Sequence, residues 1–231
     1  MDRVVNRAGF SYGRDGWHPY VAALEQWLAE PHLAYGDTVL AAFYARFRPQ
    51  TVHELLLGGK GLSRGRLAGW PALDRLIDLW SATRRDVGRV SAEAAQHRDL
   101  AHSQYRGPTD PSVGAMHIHR VVTAYESFAQ HGHQPDRFPS GFVTGYFLTQ
   151  SDDYRFVVGH GNHRVAALRV LGYRHIPVVL RPSHPPVVAR ERLARWTTTR
   201  GGLLEPAEVD AVVGRFFADD SRERAVALGL L

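Results

Sequence analysis

Residues 154–180 read YRFVVGHGNHRVAALRVLGYRHIPVVL, and this stretch decides the predicted fold. Its first part, Tyr154 to Val158, is rich in aromatic and β-branched residues and predicts a strand. The segment from Asn162 to Leu171 has the spacing of a helix, which Gly172 ends. Residues 175–180 predict a returning strand. This order of strand, glycine turn, helix and strand is typical of α/β or α+β packing.

The turn Gly159-His160-Gly161-Asn162-His163-Arg164 carries the strongest chemical signal. Glycine lets the backbone adopt positive φ and approach an anion closely. The first N–H groups of a helix lack partners within the helix and lie at the positive end of its dipole. His163 and Arg164 add side-chain donors at the same place. A phosphate-binding site and an ordinary helix start with two exposed cations both fit these residues.

The run from Gly159 to Leu180 resembles the signature of the ParB/sulfiredoxin-like superfamily. That signature is a strand, Gly-x-x-Arg or Gly-x-His-Arg, an alanine-rich helix, Leu-Gly and then Ile-Pro-Val. The resemblance covers roughly residues 115 to 182, under a third of the chain. It implies an α+β fold in which a mixed sheet core of this type carries added N- and C-terminal helices. We therefore expect a helical N-terminal region at 1–110, the core at 111–183 and a helical C-terminal segment at 184–231.

The resemblance also implies nucleotide chemistry. ParB proteins bind and hydrolyse CTP with this motif, and related free-serine kinases transfer phosphate to a hydroxyl. Carried over to this chain, it implies that ATP or another nucleotide binds with Mg²⁺. The expected phosphate-binding or nucleotide-binding residues are Arg120, His160, Gly161, Asn162, His163 and Arg164.

Two residues are candidates for catalysis. Related kinases use an acidic residue upstream of the phosphate motif as the base, which makes Glu126 the candidate here. A solvated helix carboxylate is the alternative for Glu126. His163 is the second candidate, and no metal-ligating residues are assigned. A histidine metal site built from His117, His119, His160 and His163 has no supporting carboxylate or cysteine spacing.

Three functions follow as hypotheses. The first is phosphoryl transfer from a nucleotide to a small hydroxylated acceptor, or hydrolysis of the nucleotide. The second is a nucleotide-sensing module without turnover, which is favoured by His160 because many relatives carry an aspartate there. The third is a basic DNA-binding ParB-like protein, suggested by the net charge of +5. The sequence indicates no oligomeric state.

The amino-acid composition excludes several kinds of chemistry and indicates where the protein is located. The 231 residues include no cysteine, which excludes disulfides, thiolate metal sites and the cysteine-dependent reduction of sulfinic acid that sulfiredoxin performs. No apolar run approaches the roughly 18 residues that span a membrane, and the first residues lack the apolar segment of a signal peptide. We expect a cytoplasmic protein without a membrane partner.

The flanking sequence predicts further elements. Pro31 divides a helical region at 18–48, and Asp37 or Thr38 begins its second half. Residues 58–69 form a predicted glycine-rich loop in which Lys60 is a weak phosphate-contact candidate. The remaining predictions are helices at Pro71–Thr83, His119–His131, Arg190–Trp196, Glu205–Ala218 and Ser221–Leu228, and a strand at Gly141–Thr149.

Overall fold

The computed structural model describes residues 1–49, 54–55, 104–138, 141–180, 185–195, 206–218 and 221–231. These residues form a mixed α+β fold, which confirms the predicted class at this level. The predicted loop at 58–69 with its Lys60, and the predicted helix at 71–83, lie outside the described residues. The described strands and α-helices, in chain order, are β1 (Val4–Asn6), α1 (Pro19–Ala29), α2 (Val39–Arg46), α3 (Pro111–His131), β2 (Val143–Gln150), β3 (Asp153–His160), α4 (Asn162–Val170), β4 (Val178–Leu180), β5 (Val187–Ala189), α5 (Pro206–Ala218) and α6 (Arg222–Ala227).

One mixed sheet holds the five described strands, in the order β1-β3-β2-β4, with β5 also paired to β2. A tight turn joins β2 and β3, which are antiparallel. β1 runs parallel to β3, while β4 and β5 run parallel to β2 at successive positions along the same edge. α4 therefore carries the chain from β3 across to the far side of the hairpin.

Two strands, β1 and β5, were not predicted. Each has three residues, too few to show an alternating pattern, and each is held by pairing with a strand distant in sequence. Strands from all three predicted ranges, 1–110, 111–183 and 184–231, consequently share one sheet. The boundaries between those ranges stay a prediction.

The helix before the sheet is longer than predicted. α3 begins at Pro111 instead of His119, because the Asp110 carboxylate accepts a hydrogen bond from the N–H of Ser112 and proline fits the first helical position. Gly114 lets this earlier part of α3 lie against Tyr35, whose hydroxyl would be 1.9 Å from an added Cβ. At the other end Gly132, at φ 70°, closes the helix as predicted.

The helices α1 and α3 pack on α4, so these two helices and the end of β3, which leads into α4, surround its start. Thr38 begins α2, as one of the two predicted caps, by accepting a hydrogen bond from the N–H of Ala41. Aromatic residues of α2 and of the N-terminal segment form one cluster within the core; its members are Phe10, Trp17, Phe43, Tyr44 and Phe47. None of the helices in the described ranges is long and apolar enough to cross a bilayer.

The C-terminal helix α6 holds the loop at residues 8–11, which follows β1. Ser221 donates a hydrogen bond to the carbonyl of Gly9 and accepts one from the N–H of Ser11, at 3.0 and 3.1 Å. The buried Arg224 donates to the carbonyl of Ala8 at 3.0 Å, and its guanidinium carbon lies 4.5 Å from the centroid of the Phe10 ring. We call this set of contacts the end clamp.

Candidate functional site

A cavity of about 720 Å³, which we call the first cavity, opens at the N-terminus of α4. Its walls come from α3, from the end of β3, from the start of α4, from the segment at 133–138 and from Gly141. Three arginines line it, Arg7, Arg120 and Arg164, and no aspartate or glutamate is among the described lining residues. A cavity with this imbalance of charge favours an anionic ligand.

The glycine turn gives the cavity its floor. Gly161 has φ 103° and ψ 21°, a left-handed conformation that side chains rarely adopt. An added Cβ would lie 3.3 Å from Cγ2 of Val143, so the backbone is also close to β2 at this point. Because glycine has no side chain with which to cap α4, the N–H groups of the first turn must find their acceptors elsewhere. These N–H groups border the first cavity.

Arg164 belongs to the first turn of α4 itself. Its Nη2 lies 3.1 Å from Nδ1 of the exposed His160, to which it donates. Partial burial lowers the pKa of Arg164, although an arginine stays charged at any physiological pH. His160 and Arg164 were both predicted to contact phosphate, and the structure brings them together at the mouth of the first cavity.

Asn162 lies in the lining but its side chain is already engaged. The residue is buried, and its Oδ1 accepts a hydrogen bond from the Tyr12 hydroxyl at 2.8 Å. Its Nδ2 donates to Oε1 of Gln104 at 3.2 Å. These bonds fasten the start of α4 to Tyr12 and Gln104. Because its side chain is engaged, Asn162 can offer an anion only its backbone N–H.

His163 packs against two rings that also contact each other, with the Tyr20 and His117 centroids 5.6 Å apart. It stacks on Tyr20 at 4.7 Å and on His117 at 5.1 Å between ring centroids. Its Nε2 is 3.0 Å from Nδ1 of His117, so one of the two nitrogens donates to the other. Burial, and then the charge of His117, lowers the pKa of His163 to about 3. His163 is therefore neutral near pH 7, and the arginines supply the positive charge of the first cavity.

His117 is a member of the site that the sequence analysis did not assign to phosphate. It is 5% exposed and lines the cavity. Burial, and then the charge of Arg120, lowers its pKa to about 4. Its Nε2 is buried and makes no hydrogen bond within the described part of the chain. The signal that would have found it is its place one helical turn before Arg120, which becomes visible once α3 is known to begin at Pro111.

Glu126 does not join the other predicted residues. It is exposed on α3 and is not among the lining residues, whereas Arg120, Ala124 and Phe128 of the same helix are. Those three positions are four residues apart and share one face, from which residue 126 is turned away. The geometry gives no support to Glu126 as a base at this site.

The described lining does not suit a Mg²⁺ ion held by the protein. Magnesium prefers carboxylate and other oxygen ligands, and the lining offers no carboxylate, while Oδ1 of Asn162 is taken by Tyr12. Nor do the described residues contain three histidine, aspartate or glutamate side chains grouped to hold a metal ion.

One side of the first cavity is apolar. Phe128 and Phe138 lie on the side formed by α3 and the segment after it, and Phe138 is 62% exposed. His133 contacts the edge of Phe128 at 5.0 Å between ring centroids. The cavity thus has a cationic end at the glycine turn and an aromatic side. A compound that carries both a phosphate and a ring would match these two surfaces.

Comparison with known proteins identifies no family. No protein-family model and no solved structure matches the chain. A 2,3-bisphosphoglycerate-independent phosphoglycerate mutase from Roseobacter denitrificans is 29% identical over 196 residues, covering 77% of this chain and 38% of the mutase. The chain thus spans well under half the length of this relative.

Proposed function

We propose that this protein is a ParB-like nucleotide-binding protein that holds nucleotide phosphates in the first cavity. One observation carries the proposal. The described lining of the first cavity includes three arginines and the uncapped start of α4, and it contains no carboxylate. Helix N-terminal N–H groups and arginine side chains are the usual donors to phosphate. The resemblance of the Gly159–Arg164 turn to the ParB/sulfiredoxin-like motif supports a nucleotide as the phosphate carrier.

The shape of the first cavity supports a ligand larger than phosphate alone. A volume of about 720 Å³ lies within the range typical of sites for small organic ligands. Phe128 and Phe138 offer apolar and aromatic surface for a nucleobase or a similar ring. The phosphates would then lie at the turn and the ring on the side of α3.

Binding without turnover is the form of this function that the site supports best. Phosphoryl transfer to a small hydroxylated acceptor, or hydrolysis, requires a base and Mg²⁺ beside the phosphates. Glu126 lies outside the lining, and His163, with a pKa lowered to about 3, is a weak base. A nucleotide that arrives with Mg²⁺ on its own phosphates would still fit, because the arginines contact the remaining oxygens.

Calorimetric titration tests the proposal. ATP, ADP, CTP, GTP and 3-phosphoglycerate are titrated with and without Mg²⁺ into the protein, the Arg164→Ala variant and the Arg192→Ala variant. Arg192 is exposed and lies outside the cavity, so its replacement removes the same charge without touching the site. We expect one nucleotide to bind with a 1:1 ratio. Arg164→Ala should weaken that binding about tenfold or more, because a charge-assisted hydrogen bond is lost, and Arg192→Ala should leave it unchanged.

The other outcomes are informative in different ways. Saturable binding of 3-phosphoglycerate alone would keep the phosphate site and replace the ligand, in line with the name of the mutase to which the chain is similar. Release of inorganic phosphate from the bound nucleotide, followed by ³¹P NMR, would show an enzyme instead of a sensing module. If neither a nucleotide nor phosphoglycerate binds, the proposal is wrong.

A further inference from the structure

A second cavity, of about 430 Å³, lies at the opposite end of α4 from the first. It is bordered by the residues that follow α4, by the N-terminal segment before β1 and by the ends of β2 and β3. Helix α4 has nine residues, so the two cavities are separated by roughly 13 Å of helix. Nothing in the proposed function uses this second cavity.

The second cavity is strongly basic. Its lining includes four arginines and one carboxylate, that of Asp2; the arginines are Arg3, Arg14, Arg169 and Arg174. Asp2 accepts a hydrogen bond from the backbone N–H of Arg14 at 3.0 Å. Arg14 and Arg174 are exposed, so their guanidinium groups are accessible to an anion from solvent.

Aromatic rings form one wall of the same cavity. Phe147 of β2 meets the rings of Tyr154 and Phe156 on β3 edge to face, with centroids 5.7 and 5.3 Å apart. Tyr154 is 41% exposed, although a large aromatic side chain on a strand usually packs into the core. The guanidinium of Arg3 lies over the Tyr154 ring, 4.6 Å from its centroid, and covers part of one face of that ring, while the Arg3 side chain itself stays half exposed and pairs with Asp153.

We infer that the second cavity binds single-stranded nucleic acid, with a base stacked at Tyr154 and Arg3 and the neighbouring phosphates paired with Arg14 and Arg174. Unpaired bases stack on aromatic rings and on guanidinium planes, and a basic rim follows the backbone of the strand. A duplex hides the faces of its bases, so this surface selects the single strand.

Fluorescence anisotropy with labelled 12-nucleotide dT and U strands tests the charged rim. The double variant Arg14→Ala/Arg174→Ala is compared with Arg137→Ala/Arg192→Ala, which removes two exposed arginines that line neither cavity. We expect the first pair to weaken binding at least about tenfold more than the control pair at low salt. Loss of two phosphate contacts should also reduce the slope of log affinity against log salt by about 1.4.

Two changes at Tyr154 test the stacking. Tyr154→Phe keeps the ring and should retain the affinity, whereas Tyr154→Ala should weaken binding about fivefold or more. Thermal unfolding of both variants establishes that each is folded. A purely electrostatic surface would not distinguish phenylalanine from alanine at this position.

Three results would overturn the inference. The first is an equal loss of affinity in the two arginine double variants. The second is a 12-base-pair duplex that binds as tightly as the single strands. The third is a free mononucleotide such as dTMP that binds as tightly as the strands, which would assign the cavity to small nucleotides. The inference is independent of the first cavity, so Arg164→Ala should bind the strands like the unmodified protein.

Discussion

His163 shows how packing changes the chemistry that a residue brings to a site. The sequence places it beside a helix start, where a protonated imidazole would contact phosphate. Packing against Tyr20 and His117 removes it from water, and removal from water disfavours the charged form. The residue becomes a neutral hydrogen-bonding group, while Arg120 and Arg164 carry the charge that an anion requires.

The same burial predicts that acid destabilises the protein. The pKa values of His163 and His117 are lowered to about 3 and about 4, whereas in the unfolded chain both should be near 6.5. At pH values between the folded and unfolded pKa values, both histidines take up a proton when the chain unfolds. The free energy of unfolding therefore falls as the pH decreases from about 6.5 toward 4. Urea unfolding at several pH values measures this slope.

A matched pair of variants assigns that slope to the site. His163→Phe keeps a ring in the stack but cannot take up a proton, so its free energy of unfolding should depend less steeply on pH. His119→Phe replaces an exposed histidine of α3 and should keep the steeper dependence. Equal slopes in the two variants would contradict the burial of the His117–His163 pair.

At the scale of the element, the β3 strand, the turn and α4 form the unit that presents N–H groups to the first cavity. Its direction depends on Gly161, because φ 103° turns the chain from the strand into the helix axis within one residue. A residue with a side chain would be strained there and would also contact Nη2 of Arg164 at 3.1 Å.

Gly161→Ala should therefore lower both stability and ligand affinity. We expect a loss of about 1–2 kcal/mol in the free energy of unfolding, the usual cost of a left-handed conformation with a Cβ. Gly172→Ala is the control, since Gly172 has φ 81°, nothing within 4 Å of an added Cβ and no place in the first cavity. Gly172→Ala should lower the stability but leave the ligand affinity unchanged. If Gly161→Ala also leaves the ligand affinity unchanged, the turn is not the phosphate site.

Elements with a local signal were predictable and those held by distant partners were not. The glycines, the periodic helix and Gly172 lie within one short stretch, and the predicted α4 agrees with the observed one to within a residue. β1 has three residues and pairs with β3 from the far half of the chain, so no local pattern marks it. His117 and Arg7 reach the first cavity by the same long-range packing, which is why composition and spacing did not assign them to it.

At the scale of the molecule, the end clamp fixes the loop after β1 and hence the strand that borders β3. Arg224 is 7% exposed and combines a hydrogen bond to Ala8 with a ring contact to Phe10. Buried charged groups are stable only when such partners are present. The sheet that carries the glycine turn therefore depends on residues near the end of the chain.

Arg224→Ala should lower the free energy of unfolding by about 2–3 kcal/mol, because it removes a charged hydrogen bond and the cover of Phe10. Arg192→Ala, at an exposed arginine outside the end clamp, should change it by less than about 0.5 kcal/mol. Chemical denaturation of both variants measures the difference. Similar values for the two would mean that the clamp contributes little to the fold.

The end clamp also has a consequence for biosynthesis. A ribosome adds roughly 5–20 residues per second, so Phe10 is made on the order of 10–40 s before the Arg224 that covers it. During that interval Phe10 and the Ala8 carbonyl lack the contacts that Arg224 supplies, although Trp17, Phe43 and Phe47, which also pack on Phe10, are made much earlier. The nascent chain therefore leaves one face of Phe10 without its final cover for most of its translation, and chaperones that bind exposed aromatic side chains would have access to it.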